Sequence, residues 1–228
     1  MIAGSRIIAE KTKVFIFFID FLIYLLSNSN LAFFSLTGNG KMNTQIDDLF
    51  HDLKELLNDS IKIVNEQFIG LSETQINWKP EKKKWSIAEC LDHITISYKS
   101  YGKELDRVFA DPKPSTGHLM FRTSLTGGIF IKTMHPDSPV KVPNPSASNP
   151  TQGTLTRKVF DDFLAAHNSL SSLVEKSKTL DLHGNKITSP FSSLMKFSLG
   201  EVLIVLAYHE KRHILQAKRV MAMPGFPI

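Results

Sequence analysis

The sequence predicts an all-α protein, a four-helix bundle with a long connection between its second and third helices. Three observations predict it. Apolar residues recur at helical spacing in four segments of about 20 residues or more. Two of those segments open with the same helix-start signal, and almost no alternating strand pattern occurs between them. Amphipathic helices of that length, each with one apolar stripe, satisfy one another by bundling.

The first helix is expected from about Ile46 to Leu71, with Ile46, Leu49, Leu53, Leu57, Ile61, Val64, Phe68 and Leu71 on its buried stripe. "SETQINWKPEKKK" then reads as a turn-rich link with Trp78 and Pro80, its lysine run a solvated loop. The second helix is expected from Ser86 to about Phe109 on the seam Ile87, Leu91, Ile94, Tyr98, Tyr101, Leu105 and Val108. Residues 111–153 are rich in Pro, Gly and Ser and form the long connection, with one short helix near Ile129 to Met134. The third helix runs from about Leu155 to Val174, carrying Phe160, Phe163, His167, Leu170 and Val174. The fourth runs from Ser198 to about Met221, where Val202, Leu206, His209, His213, Gln216 and Val220 are spaced 4, 3, 4, 3, 4.

"WSIAEC" (85–90) and "FSLGEV" (197–202) fix two of these starts. Ser86 and Ser198 are N-caps, Glu89 and Glu201 close the capping boxes, and Trp85 and Phe197 staple onto Cys90 and Val202. These caps set the phase of His93, His209 and His213 along their helices.

Residues 1–41 differ in kind. "VFIFFIDFLIYLL" (14–26) follows Arg6, Lys11 and Lys13 but is interrupted by Asp20. It is short of the roughly 20 apolar residues a spanning helix needs, and no clear A-x-A-like cleavage site follows. This stretch reads as an N-terminal extension ahead of a translational start at Met42, with a signal or anchor segment as the alternative. Residues 42–228 form the domain. The location expected is cytoplasmic, or membrane-anchored or exported if 1–41 are retained. The formal charge of +5 falls to +3 once Arg6, Lys11, Lys13 and Lys41 are set against Glu10 and Asp20, too little and too spread for nucleic-acid binding. One cysteine, Cys90, excludes an internal disulfide framework.

"AYHEKRHILQAKRV" (207–220) carries the chemistry. Rings at His209 and His213 stand one above the other on a helix and can reach one cation. The pattern H-E-x-x-H is also that of zinc proteases, but no Glu, Asp or His follows His213 to supply the third ligand, and Gln216 and Arg219 stand where the longer motif needs other residues. A third ligand must come from upstream. His93 lies at the edge of its seam and His167 squarely on the third helix's stripe, so spacing favours His167, which otherwise is a hydrogen-bonded core histidine or a group supporting the site. Gln216 is a candidate to orient a ligand, or a polar plug. Glu210, about 100° round from His209, is expected to face solvent. Cys90 reads as a small buried hydrophobe. His51, His118, His135 and His183 fall on an exposed face or in links.

"KWSIAECLDHI", joined to the distant "FSLGEVLIVLAYHEKRHILQAKRV" and preceded by "LSETQINWKP", resembles the DinB/YfiT-like superfamily over most of residues 43–222. The resemblance implies a four-helix bundle holding a divalent metal, zinc or nickel, on three histidines, and places them at His93, His209 and His213 rather than at His167. It also implies a metal-dependent enzyme acting on small molecules. Family members include bacillithiol- or mycothiol-type S-transferases and a maleylpyruvate isomerase, so a low-molecular-weight thiol is an expected co-substrate, with hydrolysis close behind. The alternative is a non-catalytic, metal-stabilised binding or stress-response bundle. No catalytic residue beyond the ligands is assigned, and a homodimer is the expected assembly if there is one.

Overall fold

The computed structural model describes residues 41–140 and 144–228. Apart from Lys41, the N-terminal extension expected over 1–41 lies outside the described residues. What is described is mostly helical.

Four long helices dominate: α1 (Ile46–Ile63, continued by a π-helical turn Val64–Phe68), α3 (Ile87–Ala110), α5 (Lys158–Lys176) and α6 (Leu199–Met221). Two shorter ones, α2 (Glu73–Asn77) and α4 (Leu125–Met134), lie in the connections. The apolar stripes read from the sequence are the faces that meet. Leu53, Leu57, Val64 and Phe68 of α1, Ile87, Leu91 and Leu105 of α3, and Phe160, Phe163 and Leu170 of α5 are all buried. Truncating any one of these leucines to alanine would leave a cavity costing about 2–5 kcal/mol. Two contiguous apolar clusters result. One gathers the Leu49–Leu57 stretch of α1 with the start of α6; the other gathers Val64 and Phe68 with the starts of α3 and α5 and the end of α6.

Both capping boxes form. Ser86 Oγ accepts from Glu89 N and Glu89 Oε2 from Ser86 N; Ser198 and Glu201 repeat the exchange. A third box, Ser72 with Gln75, starts α2 inside the stretch expected to be only a turn-rich link. The same capping chemistry was present there in "SETQ", on too short a segment for periodicity to register.

The absence of strands is corrected. β1 (Asn43–Gln45) pairs antiparallel with β2 (Met120–Arg122), and β3 (Lys186–Ser189) with β4 (Ser192–Ser198), with a register shift at Thr188/Ser189. Strands of three to seven residues give too few alternations to stand out. The hairpin buries apolar side chains at one register pair, Ile187 opposite Phe197. Phe197 then stacks on Phe130 of α4, ring centroids 5.3 Å apart.

A single stripe on the last helix is also corrected. Every residue from Leu199 to Ala207 is buried. "LGEVLIVLA" is apolar almost all round, as a helix enclosed on every side must be, and α1, α3, α4, α5 and the hairpin all touch it. Only its second half, from Tyr208, keeps a polar side. Gly200 matters at the junction: a Cβ there would stand 2.5 Å from the Phe121 ring.

Candidate metal centre

The histidines stand where α3 and α6 cross. Seven residues past Ser86, His93 is directed from α3 toward α6, and His209 and His213 are directed back from the second half of α6. One ligand nitrogen from each ring lies within 4.8 Å of the others. Ring centroids are 4.8 Å apart for His93 and His209, 4.5 Å for His93 and His213, and 4.5 Å for His209 and His213. The Nε2 atoms of His93 and His209 are 3.0 Å apart. Two imidazole nitrogens bound to one tetrahedral zinc would be about 3.3 Å apart, so a small outward movement of the rings admits an ion. The donor set fits: three imidazoles suit zinc and nickel.

The far side of two rings is already fixed. His93 Nδ1 donates to the Ser148 carbonyl at 2.6 Å, and His213 Nδ1 donates to Gln216 Oε1 at 3.0 Å. An acceptor at Nδ1 keeps the proton there and leaves the Nε2 lone pair facing the other rings. Gln216 therefore has a positioning contact rather than the place of a polar plug. Ser148 sits in a 3₁₀ turn (Ser146–Ser148) of the long connection, and nothing in the sequence marked its carbonyl as a partner.

All three rings are held neutral. His209 keeps a little accessible surface but is densely surrounded, and burial, then His93 and Arg212, push it down to about 3. Burial likewise lowers His93 and takes His213 well below 6.5. Neutral imidazoles are the metal-ligating form.

Several placements differ from the sequence reading. His93 is at the seam's centre, 2 % exposed, because the connection covers the side that helical spacing alone left open. His167 is a hydrogen-bonded core histidine outside the ligand cluster, its Nδ1 2.9 Å from Glu210 Oε1. Glu210 does not face solvent: it is 2 % exposed, because α5 packs on the flank of α6 and supplies His167 as its partner. Burial raises its carboxyl. Cys90 is buried in the apolar cluster, and burial pushes its thiol up, away from a nucleophilic or ligating thiolate. Trp85 packs against that cluster, and its ring also lies 4.7 Å from His93 and 5.5 Å from His213. The staple residue is thus a wall of the site as well.

Arg212, between the two histidines, was missed. Its guanidinium donates to the carbonyls of Thr133, His135 and Ser138 through Nη1 and of Val140 through Nη2. A cation there suits the end of α4, whose last carbonyls lack helical donors.

The described residues contain no helix long and apolar enough to cross a membrane. No solved structure matches the chain significantly. The uncharacterized protein YuaE of Bacillus subtilis (strain 168) is 22% identical over 165 residues, 66% of this chain and 86% of that protein. The DinB superfamily model matches residues 57–217, from within α1 to the last turn but one of α6 and across all three histidines. The chain belongs to the DinB superfamily.

Proposed function

We propose that His93, His209 and His213 hold a divalent metal ion, zinc or nickel, within a four-helix bundle of residues 42–228 whose long connection runs between α3 and α5. On this reading the protein is a metal-dependent enzyme acting on a small molecule, first as a thiol S-transferase and second as a hydrolase. One observation carries it: two of the three rings have Nδ1 pinned to a carbonyl oxygen, one from Ser148 and one from Gln216, so that Nε2 is bare toward the common centre.

When bound, the ion supplies Lewis acidity, lowering the pKa of a water or thiol brought to it. The chain's own part is to hold and to exclude. Burial keeps the rings neutral and ready to bind, and Trp85 packs along His93 and His213. Cys90 stays out of the reaction as a buried thiol, so a reacting sulfur comes from a low-molecular-weight thiol. The cytoplasm, where such thiols are reduced, is the location that suits this chemistry; an anchored or exported form is the alternative if residues 1–41 are retained. No nucleic acid is involved, and a homodimer is the assembly to look for.

The alternative reading is a non-catalytic, metal-stabilised bundle.

Elemental analysis of the purified protein tests the metal: one zinc or nickel per chain is expected, lost in His209→Ala. Full retention in that variant refutes the site. A screen of thiols against a chromogenic electrophile, with chromogenic esters and amides tested without thiol, then separates the readings, since turnover lost with the metal supports the enzyme and no turnover in either screen supports the binding bundle.

A further inference from the structure

The three rings are not equally supported. His93 and His213 each have a carbonyl oxygen at Nδ1. Among the described residues His209 has none: its one hydrogen bond is through Nε2, to His93. It does border a cavity of about 10 Å³, whose other walls are Ile94, Tyr98, Ala166, Leu170, Leu206 and Glu210. Three of the residues lining that space carry polar side chains, Tyr98, His209 and Glu210. Glu210 is held from behind, where Oε1 accepts from His167 Nδ1 at 2.9 Å. No described donor reaches its other oxygen.

We propose that this cavity is a specific water site, that its water joins Nδ1 of His209 to Glu210, and that Glu210 and His167 are thereby the positioning pair for the third ring. Size and chemistry agree: the space is at the lower limit for one water, and it offers the two polar partners a buried water needs.

Tautomers explain why a water and not a carbonyl stands there. The Ser148 and Gln216 oxygens leave His93 and His213 with bare Nε2 atoms. The contact of 3.0 Å between the Nε2 atoms of His93 and His209 is a hydrogen bond only if His209 donates, which puts its single proton on Nε2. To ligate an ion through that atom, His209 must carry the proton on Nδ1 instead. Its Nδ1 neighbour must therefore donate in one form and accept in the other. A water does both while keeping its second hydrogen on Glu210; a carbonyl oxygen accepts only. The change moves one proton within the ring and alters no net charge.

The inference rests on the proposed metal site only for its second test. In the metal-free protein, imidazole ¹⁵N shifts should show His209 with its proton on Nε2 and His93 and His213 with theirs on Nδ1. Long-lived water should give cross-relaxation at His209, and Ala166→Val, which fills the cavity without touching a polar group, should abolish it. No such water signal in the unmodified protein, or an Nδ1–H tautomer already present at His209, overturns the proposal. On zinc addition the His209 tautomer should invert, and Ala166→Val and Glu210→Gln, each checked to be folded without metal, should bind zinc about tenfold more weakly. Folded variants that bind zinc as the parent does also overturn it. A parent that takes up no zinc sinks the metal site itself and leaves the water and tautomer signals to decide this point.

Discussion

Lowering the pH from 6.5 to 5 should cost the metal-free protein about 1.5–2 kcal/mol of folding stability through His209 alone. In the fold its ring stays neutral down to about 3, because burial, then His93 and Arg212, oppose a positive charge. Unfolded, the same ring titrates near 6.5. Between those values the unfolded chain takes up a proton that the folded one refuses. The contribution therefore shrinks as pH falls through 6.5, at half of about 1.4 kcal/mol per unit where the unfolded ring is half protonated and at nearly the full slope by pH 5, which over the interval comes to about 1.5–2 kcal/mol. His93 and His213, lowered by burial as well, steepen the slope. Glu210 acts against it: burial raises its carboxyl, so its contribution is greatest at low pH and is lost as pH rises through the folded value. The measurement is thus a difference. Urea unfolding of parent and His209→Gln, both with chelator, is compared at pH 6.5 and pH 5, and the parent should lose about 1.5–2 kcal/mol more. Equal losses within about 0.5 kcal/mol would mean that this ring is not held neutral by the fold, and the electrostatic account of the site would fail.

Two further outcomes follow from packing. Alanine in a helix is ordinarily better than glycine by up to about 1 kcal/mol, yet Gly127→Ala in α4 should destabilise, because the new Cβ would stand 2.0 Å from Glu201 Oε1. That carboxylate accepts from Ser124 N at 2.6 Å and Ser198 N at 2.7 Å, and loss of one such charged bond costs about 1.5–3 kcal/mol; a raised urea midpoint would contradict this. Nickel should quench the fluorescence of Trp85, which lies against His93 and His213, while Trp78, packed on Phe226, is left unchanged. An undiminished quench in Trp85→Phe would place the ion elsewhere.

The sequence carried the long helices and their phase because period and caps are local. Ser86 and Ser198, with Glu89 and Glu201, act within one turn, and the apolar stripes of α1, α3 and α5 needed no knowledge of partners. The pair at His209 and His213 was legible for the same reason. His93 was not: its burial depends on Ser148, 55 positions away, and only family resemblance preferred it to His167. Glu210 was misjudged because its surroundings come from α5, about which the helical wheel of α6 is silent. The β3–β4 hairpin lacked enough residues to alternate visibly, and its burial is decided by Phe130 of α4.

Arg212 and His93 each take carbonyl oxygens from the same stretch of chain, Thr133 to Val140 in one case and Ser148 in the other. The two rods that bring in the imidazoles are thus lashed together by a piece of backbone belonging to neither. Its grip on both is through main-chain oxygen, while its own side chains hold its shape, Ser148 Oγ donating to Asn144 Oδ1 and to the Pro145 carbonyl. A residue added or removed between Thr133 and Val140 would displace the carbonyls that hold Arg212, and with it the helix that carries His209 and His213.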